Sequence, residues 1–120
     1  MQGIDAYLSG WRERARRHDA ACTEREERAR RLLPSLVTHL VGRYGARRVV
    51  LIGSLAEGGF GLDSDIDLAV EGIAGAAIYR AAAELDDLAH PFRVDLVPYE
   101  DAHGDLAAKI DLRGLVLHGR

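Results

Sequence analysis

Residues 64–70, Ser-Asp-Ile-Asp-Leu-Ala-Val, constrain the fold more than any other stretch of the chain. An extended strand sends successive side chains to opposite faces, so Asp65 and Asp67 share one face with α-carbons roughly 6.6 Å apart. Ile66, Leu68 and Val70 share the other. Aspartate is disfavoured in strands. Two of them opposite a continuous apolar row predict a sheet with its core on one side and a polar device on the other. The predicted strand at residues 93–97 repeats the arrangement, with Asp95 between Val94 and Leu96. If it pairs beside the first, a third carboxylate joins the other two.

The rest of the chain supplies the layers. Leu8, Trp11, Ala15, Cys22, Ala29, Leu32 and Leu36 recur at helical spacing and predict a long N-terminal helix. Pro34 predicts a kink or a fresh helix start, and Gly45 a left-handed stop after Tyr44. Residues 49–52, Val-Val-Leu-Ile, read as a strand buried on both faces. Ala74–Ala89 reads as a helix with Ile78, Ala82, Leu85 and Leu88 or Ala89 inward, and residues 101–114 as a last helix with Leu106, Ile110 and Leu115 inward. The expected fold is α/β (α+β): a small sheet flanked by helices, with residues 1–33 a helical extension and 34–120 one compact domain.

Charge narrows the partners. The net charge is −3, yet residues 11–31 carry eight arginines against five acids, which leaves the remainder acidic. Direct nucleic-acid binding is not expected of such a chain. The acid-first pairs Glu13–Arg17, Glu24–Arg28, Glu26–Arg30 and Glu27–Arg31 have the spacing that supports an exposed helix, and a partner-docking face is the competing reading. No apolar run approaches the roughly 20 residues that span a membrane. The lone Cys22 and an N-terminus without an apolar core lead us to expect a cytoplasmic protein.

Carboxylates crowded as Asp65, Asp67 and Asp95 are here repel one another unless a cation sits among them. Oxygen ligands favour hard Mg²⁺ or Mn²⁺, and three carboxylates can hold two ions about 3.5–4 Å apart to activate one oxygen and stabilise another as it leaves. Gly53, Ser54 and Gly58 end the preceding strand in a turn whose bare backbone and hydroxyl can approach phosphate oxygens. Solvent-facing strand acids, and a metal site without catalysis, are the two plainer readings.

The combined pattern, Gly53-Ser54, Gly58, then Ser64-Asp65-x-Asp67 and a later flanked Asp95, resembles the nucleotidyltransferase superfamily related to DNA polymerase beta, specifically its minimal branch. The resemblance spans residues 45–118. It implies a small mixed sheet flanked by helices, the nucleotidyltransferase fold, with a metal-dependent nucleotidyl-transfer site in which Asp65 and Asp67 bridge two Mg²⁺ ions. Asp95 would hold the catalytic ion and help deprotonate an acceptor, while Gly53, Ser54, Gly58 and Ser64 hold the nucleotide triphosphate. Members often carry arginine where this chain has Leu55 and Glu57, a departure that removes positive charge near the phosphates.

A chain of this length leaves no room for a separate acceptor-binding domain. The resemblance therefore implies that AMP from ATP goes to a tyrosine of a partner, a HEPN-domain ribonuclease toxin, so that this protein is the antitoxin of a hetero-oligomeric pair. A catalytically weak binding module that neutralises its partner, and a homodimeric nucleotidyltransferase acting on an aminoglycoside-type small molecule, are the alternatives.

Overall fold

The computed structural model describes residues 2–120. Helix α1 (Gln2–Tyr44) is followed by β1 (Arg48–Ile52), the one-turn helix α2 (Ser54–Glu57), β2 (Ile66–Glu71), α3 (Ala77–Ala89) and β3 (Val94–Pro98). A 3₁₀ turn (Tyr99–Asp101), α4 (Gly104–Arg113) and β4 (Leu115–His118) complete the chain. The strands lie in the order β3-β2-β1-β4. β1 runs antiparallel to both neighbours, whereas β2 and β3 are parallel, so the sheet is mixed as expected. The parallel pair requires a crossover, and α3 provides it.

The core is lopsided. On one face, Val49, Leu51, Ile66, Leu68, Val70 and Val94 pack with Ala29, Leu33, Leu36 and Leu40 of α1 and Ala81, Leu85 and Ala89 of α3. On the other, Val50, Ile52 and Ala69 form a small cluster with Ile110 of α4, with Tyr99 and Ala102 at the margin. Alternation along each strand sorts these residues.

α1 is one continuous helix of 43 residues. The helix does not restart at Pro34 but continues through it, and the buried Leu33, Leu36 and Leu40 on either side offset the roughly 3 kcal/mol that an internal proline costs. It stops at Gly45, φ 69°, whose N–H donates to Val41, the left-handed stop that was predicted. Only the C-terminal half of the predicted apolar stripe is covered. Ile4, Tyr7, Leu8 and Trp11 are exposed, and the helix gives the molecule its 64 Å long axis. Among the expected ladder pairs, Glu13–Arg17, Glu26–Arg30 and Glu27–Arg31 close at 3.3, 3.2 and 4.0 Å.

Other expectations shift by a few residues. α3 starts at Ala77, after Gly75 with φ 60°, and turns Ala81, Leu85 and Ala89 fully inward rather than Ala82; Leu88 is exposed. In the last helix Ile110 is buried as expected, but Leu106 and Leu115 are 38% and 49% exposed. Leu115 has left the helix, because residues 115–118 form the edge strand β4 against β1, which the sequence reading missed. Histidine and tyrosine add a clamp between α1 and α3: Glu84 accepts from Tyr44, meets His39 Nε2 at 3.0 Å and pairs with Arg43 Nε at 2.7 Å. No described helix is long and apolar enough to cross a membrane.

Candidate active site

The acids gather at the end of the sheet where β1 finishes and β2 and β3 begin. Ile52 is in register with Asp67, and Asp67 with Asp95, so the three residues form one row across three strands. The row belongs to the thin face, the face of Val50, Ile52 and Ala69 rather than that of Leu68. Asp67 is half-buried and Asp95 is exposed at the edge. The register pairing proposed from sequence is therefore present, and in a parallel ladder.

Electrostatics mark Asp67 as the centre. Burial pushes its carboxyl up to about 6, and Asp95 adds to this by its charge and a shared hydrogen bond, then Asp65 by its charge; Lys109 of α4 opposes them. Such a carboxyl is one for which a bound cation would do what solvent does not. Among the described residues no group of three or more histidine, cysteine or acidic side chains is gathered tightly enough to hold a metal ion. The sheet contributes the pair, and Asp65 stands just before β2, where strand alternation does not yet apply. The donor set is all oxygen and its centre is a destabilised anion, which fits a hard divalent cation.

The glycine turn lies directly against this pair. Gly53 has φ 76° and ψ −157°, a conformation for glycine, and a side-chain carbon there would collide with the Asp67 carboxylate. Both constraints have one cause: the backbone must leave β1 sharply while passing over Asp67. α2 then turns back on itself, with the Ala56 and Glu57 N–H groups donating to the Gly53 carbonyl at 3.1 and 3.0 Å. Ser54 is half-buried at its start, and Gly58, φ 97°, follows its end. Ser64 Oγ accepts from Gly61 N–H at 2.8 Å and so closes the turn that leads into Asp65.

The two departures from the resemblance have structural explanations. Leu55 is fully buried in the main core, so it serves packing rather than the phosphate side. Glu57 pairs with Arg113 of α4 at 3.8 Å, which offsets its charge and ties the turn to the helix that covers the thin face.

Sequence reasoning overlooked the cations that brace this turn. Arg25 donates to the Gly61 and Ser64 carbonyls at 3.1 and 2.9 Å, and Arg30 to the Leu55 carbonyl at 2.6 Å. Their partners are 25 to 39 residues away, beyond the reach of periodicity. Lys109 and Arg113, one turn apart on α4, were likewise passed over; only their shared helix face pointed to them. A cavity of about 570 Å³ opens on the helical face instead, lined by Ile73, Ile78, Tyr79, Leu96 and Pro98. It holds none of the acids in the row.

Comparisons agree with this geometry. The sequence matches the family described as polymerase beta, nucleotidyltransferase over residues 38–120. No curated protein matches it. A solved toxin–antitoxin structure with AMP-PNP is 26% identical, with a TM-score of 0.62 over 72% of this chain and 73% of that one. A structure assigned as a minimal nucleotidyltransferase is 29% identical, with a TM-score of 0.58 over 78% of this chain and 91% of that one. The fold is also shared, at 24% identity and a TM-score of 0.50, with a chain from a complex of tri-AMPylated Shewanella oneidensis HEPN toxin and MNT antitoxin, over 82% of this chain and 73% of that one. With the acid row, the glycine turn and a family match over residues 38–120, the chain belongs to the polymerase beta nucleotidyltransferase family.

Proposed function

We propose that this protein transfers AMP from ATP to a tyrosine hydroxyl of a HEPN-domain toxin and thereby acts as its antitoxin. The observation that carries the reading is the register of Asp67 with Asp95 beneath a glycine, Gly53, whose backbone conformation and closeness to the Asp67 carboxylate disfavour any side chain. The toxin–antitoxin complexes among its structural relatives support the choice of partner.

In this reading Asp65, Asp67 and Asp95 are the ligands of two Mg²⁺ ions, with Mn²⁺ as a substitute. When bound, these ions would neutralise the carboxylates and the charge that develops on the α-phosphate. Gly53 and Ser54 hold triphosphate oxygens, and Gly58 lets the backbone approach them. Ser64, whose oxygen already accepts from Gly61, keeps its own proton to donate to a phosphate oxygen. Asp95, the most exposed of the three, faces the incoming acceptor and takes the proton of its hydroxyl. The acceptor oxygen then bonds to the α-phosphorus, the bond to the bridging oxygen breaks, and pyrophosphate departs with that electron pair. A cytoplasmic site of action fits a chain whose one cysteine, Cys22, is free.

The test is transfer of label from ATP marked at the α-phosphate to the toxin encoded beside this protein, in Mg²⁺. Label on the toxin that disappears with Asp67→Asn is the expected result. A catalytically weak binding module is the second reading, favoured by Leu55 and Glu57, a buried side chain and an acid where members often carry arginine. Toxin binding and neutralisation that survive Asp67→Asn, with no label transferred by either protein, would establish it instead.

A further inference from the structure

Asp65 is the ligand that the sheet does not hold. The ladder of β2 begins at Ile66, whose N–H donates to the Arg93 carbonyl at 2.9 Å, and the residues before it form a glycine-rich turn. A carboxylate at the end of such a turn samples many positions unless something outside the turn fixes it. The internal bonds between Gly61 and Ser64 close the turn but do not anchor it to the rest of the molecule.

Arg25 of α1 makes that anchor. Its guanidinium donates to both the Gly61 and Ser64 carbonyls, and the second of these is the peptide that joins Ser64 to Asp65. The same group lies over the rings of Phe60 and Phe92, 5.0 and 4.6 Å from their centres. Both rings are almost fully buried, so the cation rests on a rigid base. Phe60 belongs to the turn and Phe92 to the lead into β3, which carries Asp95. One side chain therefore touches the approaches to both acidic strands. Among the described residues Arg25 enters no ion pair, although α1 pairs several neighbouring arginines with glutamates. Both carbonyls accept from one terminal nitrogen, Nη1, while the guanidinium plane rests on two aromatic rings, a stacking that a lysine ammonium does not reproduce.

We propose that Arg25 is a positioning residue of the acid site: by holding the Gly61 and Ser64 carbonyls it sets Asp65 where it shares a cation with Asp67. This rests on the nucleotidyl-transfer reading above. It makes α1, which continues outward for more than twenty residues beyond this point, part of the frame of the site rather than an appendage.

Two variants of the full chain test it, Arg25→Met, which keeps bulk against the two rings but removes the donors, and Arg25→Lys, which keeps the charge. Amide hydrogen exchange without ligand is read along the chain, and Mn²⁺ alone is titrated by electron paramagnetic resonance. The expected result for Arg25→Met is at least tenfold faster exchange across residues 59–65 with rates in β1 and α3 unchanged, and Mn²⁺ affinity at least fivefold weaker. Arg25→Lys, which keeps a charged donor but loses the planar stacking on Phe60 and Phe92, falls between it and the wild type, and carries the test if the methionine variant does not fold. A turn that exchanges at the wild-type rate in both variants overturns the proposal, as does a loosened turn with undiminished Mn²⁺ affinity. If the wild type itself binds no Mn²⁺, the transferase reading fails first and the proposal with it, an outcome distinguished by comparing wild type with variants.

Discussion

On the helical face of the sheet, Leu51, Ile66, Leu68 and Val70 are sealed beneath α1 and α3; on the opposite face, Val50, Ile52 and Ala69 share a small cluster with Ile110, and the next position in the row is Asp67. The same six residues of β2 supply both surfaces by alternation. Stability is concentrated on one side, which leaves the other free to hold a half-buried carboxylate that folding alone would not favour. A residue on the first face answers to packing. A residue on the second answers to charge.

Substitutions can break this division in order of expected size. Leu68→Ala empties a fully buried position in the main core and should lower unfolding free energy by about 3 kcal/mol, measured by urea denaturation. The fraction still folded should bind Mn²⁺ as the wild type does, because Leu68 turns away from the acids. Gly53→Ala crosses the division: a side chain in that backbone conformation, against the Asp67 carboxylate, should cost about 2 kcal/mol of stability and also weaken Mn²⁺ binding. Loss of stability without loss of affinity would show that the turn and the acids are independent.

The smallest effect is the pH dependence of the metal-free protein. The folded state raises the carboxyl of Asp67 to about 6 from an ordinary value of 3.8, so it binds that proton more tightly than the unfolded chain does. The associated stability is full below about pH 4 and is lost as pH rises to about 6, amounting to about 1 kcal/mol once screening at this partly exposed group is allowed for. Thermal unfolding followed across that range should show the loss in the wild type and not in Asp67→Asn. Mn²⁺ should reverse the trend, since ion and proton compete for the same oxygens.

Much of this was legible in the sequence, and for a physical reason. Strand alternation is local, so the apolar row and the acid row of β2, and Asp95 between Val94 and Leu96, could be read directly. Gly45 and its left-handed stop are local too. What was not legible depends on contacts far apart in the chain. β4 is four residues long with Leu115 and Val116 nearly half exposed, so its own pattern carries no core signal and pairing with β1 defines it. Arg25 falls on the apolar stripe of α1, but nothing local names its partners, since Gly61 and Ser64 lie across the fold. Leu55 seemed a lost phosphate contact until its burial showed it to be core.

The central claim is that the thin face of the sheet is a cation site built on Asp67 and Asp95. Titration of Mn²⁺, followed by electron paramagnetic resonance, of the wild type and of Asp67→Asn combined with Asp95→Asn addresses it most directly. The account predicts saturable binding to the wild type, at least a hundredfold weaker binding to the double variant, and an unfolding midpoint for that variant no lower than the wild type's. Equal binding by the two proteins, or none by the wild type at neutral pH, would contradict it.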